Sequence, residues 1–150
     1  MRHGRAESYA ASDSQRRITE QGHLENRQTA AQLLARSPVF DQVLCSPYLR
    51  AKESFSDLKQ LFPALNCEMS DDLTPDSSVH ALLSRLERLQ ESGAKSLLLV
   101  GHNPLLSDLI CLLVEGQVPG RYHLDTSVLA CINVQFLAPG CGEIEYLLTP

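Results

Sequence analysis

Two arginines and two histidines of this 150-residue sequence stand where their side chains could bind a phosphoryl group. Arg2 and His3 open the chain, Arg50 lies near the start of a predicted helix, and His102 follows an apolar run. Arginine forks bind phosphate oxygens in pairs, and helix N-termini attract anions through their free N–H groups. Taken singly, each residue has a plainer explanation, such as an arginine in solvent or a disordered terminus. Taken together, the four predict a pocket that holds a phosphoryl group without a metal.

Parallel strands are the elements that must bring these side chains together. Short apolar runs predict strands over Gln42–Cys45 and Ser96–Val100, with a brief third strand around Cys67–Met69. The run at 96–100 is apolar on both faces, which is typical of central parallel strands. Ligands of such sheets bind outside the carboxyl ends of the strands. In this sequence those ends are Ser46 and its successors, and Gly101-His102-Asn103.

Four predicted helices alternate with these strands. The first has Thr19 as its N-cap, runs to about Arg36, and buries Leu24, Ala31 and Leu34. The second is predicted to begin at Ser46-Pro47 and to bury Ala51, Phe55, Leu58 and Phe62. The third begins at Val79, buries leucines as far as Leu89 and ends at Gly93. The fourth begins at Asn103-Pro104 and buries apolar residues from Leu105 to Leu113.

The C-terminal part has a different pattern, in which apolar and polar residues alternate. Ile132–Phe136 and Ile144–Leu148 flank Pro139-Gly140-Cys141-Gly142, which predicts a hairpin. The whole order predicts an α/β fold: three layers, α/β/α, with a mostly parallel central sheet and a C-terminal antiparallel hairpin. The length predicts a single domain over residues 1–150.

Composition and charge argue against several classes of protein. With 13 Lys+Arg against 18 Asp+Glu the net charge is -5, which disfavours a nucleic-acid or anionic-membrane partner. No stretch is long and apolar enough for a membrane helix, and no secretory signal pattern follows Met1. The five cysteines are odd in number and never spaced C-x-x-C, which predicts neither a disulfide framework nor a zinc site. We expect a protein of the reducing cytoplasm.

Several motifs together resemble the histidine phosphatase superfamily, whose fold is phosphoglycerate mutase-like, and in particular its short, SixA-type phosphohistidine phosphatase branch. The resemblance covers almost the whole chain, in the order Arg2-His3-Gly4, Ile18-Thr19-Glu20-Gln21-Gly22, Ser46-Pro47-Tyr48-Leu49-Arg50-Ala51, Asp72-Leu73-Thr74-Pro75 and Leu99-Val100-Gly101-His102-Asn103-Pro104. R-H-G alone is a weak signal, whereas three site motifs in the right order and context are a strong one.

The resemblance implies a reaction and a role for each residue. His3 would be the nucleophile that forms a phosphohistidine intermediate, and Arg2, Arg50 and His102 would bind the phosphoryl oxygens. His102, itself catalytic, would then be largely protonated and His3 neutral. No cofactor is expected. The chain is too short for the helical cap of larger relatives, so the expected substrate is phosphohistidine on a protein, such as a phosphorelay or phosphotransfer domain.

A general acid is the least defined part of the expected site. Asp71, Asp72 and Asp76 lie in a short polar turn, and Asp72 is the candidate acid, although solvation or capping also explains them. An acid is unnecessary for phosphohistidine, because imidazole is a better leaving group than an alkoxide. Two alternatives therefore stay open: a small-molecule phosphomonoesterase with an aspartate as acid, and a catalytically impaired phosphate-binding regulatory module. No D-x-D motif follows a strand, so we expect no magnesium site.

The start of the chain departs from the pattern of the family. In relatives the R-H-G motif ends a central first strand, but here Met1 stands where that strand should be. The first strand is therefore expected to be missing before Arg2. Three explanations are open: upstream residues are left out of this sequence, the start was assigned too late, or the chain truly begins here. We favour the omission of upstream residues.

Overall fold

A computed structural model describes all residues from Met1 to Pro150. Four helices and five strands alternate along the chain, together with short 3₁₀-helices at Asp13–Gln15 and Asp71–Leu73. In chain order they are α1 (Glu20–Leu34), β1 (Gln42–Cys45), α2 (Leu49–Leu61), β2 (Glu68–Met69), α3 (Val79–Glu91), β3 (Leu97–Val100), α4 (Leu105–Glu115), β4 (Leu129–Val134) and β5 (Gly142–Leu148). None of the helices combines the length and the apolar character needed to cross a bilayer.

The strands form a parallel sheet and an antiparallel hairpin, which confirms the predicted fold class. The parallel sheet has the order β2-β1-β3, with Leu44 opposite Leu99 and Cys45 opposite Val100. Strands β4 and β5 pair antiparallel, from Leu129 opposite Leu148 onward. Because β1, β2 and β3 run the same way, their carboxyl ends share one edge of the sheet.

Helices cover the parallel sheet on both faces. Successive residues of β1 point to opposite sides: Leu44 belongs to one hydrophobic cluster and its neighbours Val43 and Cys45 to another. The Leu44 cluster is filled mainly by leucines of α3 and α4, and the other by residues of α1 and α2, including Leu33, Phe55 and Leu58. This burial on both sides explains why β1 and β3 are almost wholly apolar.

The first three residues occupy the position between β3 and β4. The Met1 amine donates to Leu99 O at 2.7 Å, and the His3 N–H donates to Gly101 O at 3.0 Å. On the other side, the Arg2 N–H donates to Val128 O at 3.1 Å. Residues 1–3, which we call the rung, thus join the parallel sheet to the hairpin through these hydrogen bonds. The rung places His3 at the carboxyl edge of the sheet.

Behind that rung, a cavity of about 400 Å³ separates β3 from β4. Its walls are apolar and include Leu97 and Leu99 from β3 and Ala130 and Ile132 from β4. Met1 also lines this cavity and is only 6% exposed.

The buried face of α1 differs from the predicted one. Thr19 caps the helix as expected, accepting the Gly22 N–H at 3.1 Å. However, Leu24 and Leu34 are 45% and 44% exposed, while Asn26 and Thr29 are buried. The prediction of the inner face was wrong because polar side chains share that face with Ala30 and Leu33, so the apolar residues alone do not mark it.

Two helix starts also lie later than predicted. Helix α2 begins at Leu49, although Ser46 Oγ still accepts the Tyr48 N–H at 3.3 Å ahead of it. Helix α4 begins at Leu105, and the side chain of Asn103 donates to Leu124 O at 2.8 Å instead of capping. Both shifts lengthen the loops that carry the site at the carboxyl edge.

Candidate functional site

The four residues singled out in the sequence lie together at the carboxyl edge of the sheet. Arg2 and His3 form the rung beside β3, Arg50 lies in the first turn of α2, and His102 follows β3. The rings of His3 and His102 are 4.8 Å apart between centroids, and Arg50 Nε lies 3.2 Å from His3 Nε2. Three parts of the chain, each ending at the same edge, thus build one pocket.

His3 is held as a neutral imidazole with a defined tautomer. Its side chain is buried, and Nδ1 lies 2.7 Å from Gly4 O. A carbonyl oxygen only accepts, so Nδ1 carries the hydrogen and Nε2 has the lone pair, which accepts the Arg50 Nε–H. Burial, together with Arg50, Arg2 and Arg16, lowers the pKa of His3 to about 4 despite the bond to Gly4. At neutral pH the nitrogen facing Arg50 is therefore unprotonated.

His102 is more deeply buried, at 1% exposure. Its Nε2 lies 2.8 Å from Ser46 Oγ, and the Tyr48 ring packs against it edge-on at 5.1 Å. Nδ1 is buried without a hydrogen-bond partner. Burial, followed by the effects of His3 and Arg50, lowers the pKa of His102 to about 2. The pocket by itself thus favours neutral His102, in contrast to the protonated state expected from the sequence.

The two arginines supply the positive charge of the pocket. Arg50 is 3% exposed and packs over the Tyr48 ring at 4.9 Å, while the Arg2 Nη1 donates to Leu124 O at 2.9 Å. Arg2 Nε, like His102 Nδ1, is buried without a partner. Burial lowers the pKa of both arginines, but guanidinium groups stay charged in proteins. Unpartnered buried N–H groups beside two cations are the features of an anion-binding site.

Sequence reasoning missed Asp13, which contacts Arg50 from a distant loop. Its Oδ2 accepts from Arg50 Nη2 at 2.9 Å, and its main-chain oxygen accepts from Arg50 Nη1 at 2.6 Å. Its Oδ1 lies 2.8 Å from Nε and 2.7 Å from Nη2 of Arg16. The only local signal was the i, i+3 spacing of Asp13 and Arg16, which is common on any polar turn.

A buried hydrogen bond ties the loop after His3 to α2. The Gly4 N–H donates to Ser54 Oγ at 2.9 Å, and Ser54 in turn donates to Arg50 O at 2.6 Å. A Cβ on Gly4 would lie 2.7 Å from Asn26 Nδ2, so any side chain there would displace the network below. His3 and Arg50 are thereby linked through their main chains as well as their side chains.

Below Gly4, four further side chains form a buried polar network. Asn26 donates to Asp57 Oδ2 at 2.9 Å and accepts from Ser127 Oγ at 3.0 Å. The Ser127 N–H donates to His3 O at 3.1 Å, and His23 Nδ1 lies 2.9 Å from the Asp57 carboxylate. Asn26, Asp57 and Ser127 are at most 2% exposed. This network fixes the main chain of His3 from the side opposite the pocket.

The aspartates considered as general acids lie after β2. Asp71 and Asp72 belong to the 3₁₀-helix Asp71–Leu73, and the Asp72 carboxylate accepts from Ser70 Oγ at 3.4 Å. Neither hydrogen bonds nor ion pairs connect Asp71, Asp72 or Asp76 with the two histidines. An acid role for Asp72 stays a prediction from the sequence.

Comparison with known proteins identifies relatives over the full length of the chain. No family model matches it. Phosphohistidine phosphatase SixA of Escherichia coli (strain K12) is 32% identical over 154 residues, covering 100% of this chain and 91% of that protein. A phosphohistidine phosphatase SixA homolog of Haemophilus influenzae is 35% identical over 133 residues, covering 82% of this chain and 80% of that protein.

The structural comparison agrees with the sequence comparison. The structure of the protein histidine phosphatase SixA complexed with tungstate superposes on this chain with a TM-score of 0.85 at 32% identity. The superposition covers 100% of this chain and 94% of that one. Relatedness at this identity over the whole length shows that the chain belongs to the SixA phosphohistidine phosphatase family, within the histidine phosphatase superfamily.

Proposed function

We propose that this chain is a metal-independent phosphatase that hydrolyses phosphohistidine on a protein through a phosphohistidine intermediate at His3. The observation that carries the proposal is the state of His3, whose Nδ1 donates to Gly4 O while the Nε2 lone pair faces Arg50 Nε at 3.2 Å. A neutral imidazole beside a buried guanidinium is suited to attack a phosphoryl group held by that guanidinium. Membership of the SixA family supports the same reaction.

The reaction proceeds in two displacements at phosphorus. His3 Nε2 attacks, the P–N bond of the substrate breaks, and the released imidazole of the substrate takes up a proton. Water then attacks the phosphorus on His3, which releases inorganic phosphate and restores the neutral ring. The transition state of each step is loose, so positioning and charge neutralisation provide most of the catalysis.

Arg2, Arg50 and His102 neutralise the oxygens of the transferred group. The unpartnered Arg2 Nε and His102 Nδ1 are the donors that the pocket leaves free for these oxygens. The binding of tungstate to a SixA protein, whose structure superposes on this chain, supports an oxyanion site here, because tungstate is a tetrahedral oxyanion like phosphate. The buried surroundings strengthen each of these interactions relative to water.

His102 acts first as a neutral donor in this scheme. Ser46 Oγ accepts the Tyr48 N–H and has one hydrogen to give to His102 Nε2, 2.8 Å away. The proton of the neutral ring is then on Nδ1, which has no hydrogen-bond acceptor from the protein and is free to donate to a phosphoryl oxygen. A phosphoryl dianion beside Nδ1 raises the pKa of His102, so proton uptake accompanies substrate binding.

The leaving group favours phosphohistidine over a phosphate ester. An alkoxide needs a proton as it leaves, and no carboxylic acid contacts His3 or His102 to supply it. Imidazole leaves more readily and takes its proton from solvent. Between α2 and β3 the chain forms only β2, a 3₁₀-helix and α3, so no helical insertion covers the pocket. An open pocket suits a phosphohistidine presented on the surface of a protein.

The proposal extends to the partner and its compartment. We assign as partner a phosphohistidine-bearing protein, such as a phosphorelay or phosphotransfer domain, and treat residues 1–150 as one catalytic domain. The five unpaired cysteines support a reducing compartment, the cytoplasm. The net charge of -5 disfavours nucleic acid and anionic membranes as partners.

Replacement of the nucleophile tests the proposed function directly. His3→Asn should lower phosphate release from a phosphohistidine protein by at least about a thousandfold, because no covalent intermediate can form. Release of ³²P-phosphate gives the rate, and gels run at alkaline pH after a quench in SDS show the phosphoenzyme, which should be absent in the variant. His80→Asn, a change of an exposed histidine on α3, is the matched control and should keep full activity. Turnover by His3→Asn near the unaltered rate would contradict the role of His3.

The low pKa of His3 predicts activity in mildly acidic solution. Since this pKa is about 4 in the folded protein, the neutral nucleophile persists well below the ordinary value of 6.5. The acid limb of kcat/KM, which reports the free enzyme, should therefore lie near pH 4 to 5. Initial rates from pH 4 to 8, corrected for spontaneous hydrolysis of the substrate, measure it. A limb centred near pH 6.5 would show that His3 titrates like an exposed histidine.

A further inference from the structure

The guanidinium of Arg50 is divided between two sets of partners. Nη1 and Nη2, which form its outer edge, both donate to Asp13, at 2.6 Å and 2.9 Å. Nε, on the inner edge, donates to His3 Nε2 at 3.2 Å. Nη2 has a second hydrogen, which points along the same inner edge as the Nε–H. When a phosphoryl group binds, one of its oxygens can replace His3 Nε2 as the acceptor of the Nε–H, which frees the Nε2 lone pair for attack. The inner edge then binds two phosphoryl oxygens while the outer edge stays on Asp13.

We propose that Asp13 is a positioning residue, which holds the outer edge of Arg50 so that the inner edge faces the phosphoryl group on His3. The inference rests on the proposed function, since it assigns Arg50 to the phosphoryl oxygens. Asp13 itself does not touch the substrate in this arrangement.

An anchor of this kind matters because an arginine side chain has many rotamers. Ordering such a side chain during binding costs conformational entropy, whereas a fork held in advance avoids that cost. Packing over Tyr48 restrains the plane of the Arg50 guanidinium, but stacking leaves rotation within the plane free. The two bonds to Asp13 remove that remaining freedom.

Asp13 is itself fixed, although its side chain is 55% exposed. Its Oδ1 accepts from Arg16, and Arg16 Nη1 donates to Glu7 O at 3.0 Å. Its main-chain oxygen, which accepts from Arg50 Nη1, also accepts the Arg16 N–H at 3.3 Å within the 3₁₀-turn. The hydrogen bond from Arg50 to the main-chain oxygen of Asp13 cannot break unless the loop moves. Asp13 is therefore a fixed partner of Arg50 and not merely a carboxylate in the place of a bound anion.

The charges near the pocket agree with a permanent place for Asp13. Arg2, Arg16 and Arg50 carry three positive charges and Asp13 one negative charge, while both histidines are neutral at pH 7. Asp125, whose carboxylate acts on the pKa of Arg2 in the raising direction, is a second negative charge nearby, and the positive charge that remains attracts a phosphoryl anion. Without Asp13, Arg16 and Arg50 would repel each other and both would turn away.

Asp13→Asn in the full chain tests the proposal, because it removes the charge while keeping the size of the side chain and the main-chain oxygen. We expect inorganic phosphate, as a competitive inhibitor and in calorimetric titration, to bind about tenfold more weakly, since one charged hydrogen bond to Arg50 is weakened. We expect kcat to fall by about tenfold or more, because the fork acts in the transition state. Asp13→Glu should restore part of both, since its carboxylate still reaches Nη2.

Two controls separate positioning from a general effect on folding. Glu91→Gln removes one negative charge at the end of α3, on the opposite edge of the sheet, and should leave kcat and phosphate binding unchanged. Thermal unfolding of Asp13→Asn should stay within a few degrees of the unaltered chain, because the amide oxygen of the asparagine and the main-chain oxygen can still accept from Arg50.

Three outcomes would overturn the proposal. Tighter phosphate binding by Asp13→Asn would mean that Asp13 competes with phosphate for Arg50, and unchanged binding and kcat would mean that Arg50 is held by other contacts. A loss that Asp13→Glu fails to reduce would point to the geometry of the loop alone. Failure of the unaltered chain to dephosphorylate a phosphohistidine protein would refute the proposed function instead, and phosphate titration of the variants would still test Asp13.

Discussion

The contact between Arg50 Nε and His3 Nε2, at 3.2 Å, is the interaction on which the rest of the site depends. A buried guanidinium next to an imidazole makes the protonated imidazole unfavourable, so burial and charge act on the pKa of His3 in the same direction. Burial first, and then the charge of the group that binds its target, keeps the nucleophile neutral. Each of the surrounding elements can be understood as a means of holding these two side chains at this distance.

The fold provides that distance through main-chain contacts on both sides. His3 is fixed by the rung to Gly101 and by the Ser127 N–H, and Arg50 is fixed by the first turn of α2. Ser54 joins the two, since it accepts from Gly4 and donates to Arg50 O. Buried polar groups of this kind are costly unless they are paired, and here hydrogen bonds connect Asn26 of α1 through Ser127 with the main chain of His3.

Local signals explain how much of this arrangement could be predicted. Strand ends followed by helix starts placed Arg50 and His102 at one edge, and the motifs around them added Arg2 and His3. Asp13 and Asn26 gave no such signal, because their partners Arg50 and Ser127 lie 37 and 101 residues away. The inner face of α1 was mispredicted for the same reason, since hydrophobic periodicity cannot detect a polar side chain buried by a distant partner.

Contacts with residues distant in sequence also determine the protonation state of His102. Assigning it a positive charge from its role overlooked its neighbours: full burial, His3 and Arg50 all favour the neutral ring, and no carboxylate contacts it. A permanent charge there would add to those of Arg2 and Arg50 and strengthen the repulsion among side chains that are largely buried. If the charge arrives only with the phosphoryl dianion, His102 adds no positive charge before binding and becomes a third cationic donor when the oxygens are in place. The low pKa of His102 thus means that this side chain becomes positively charged only when the substrate is bound.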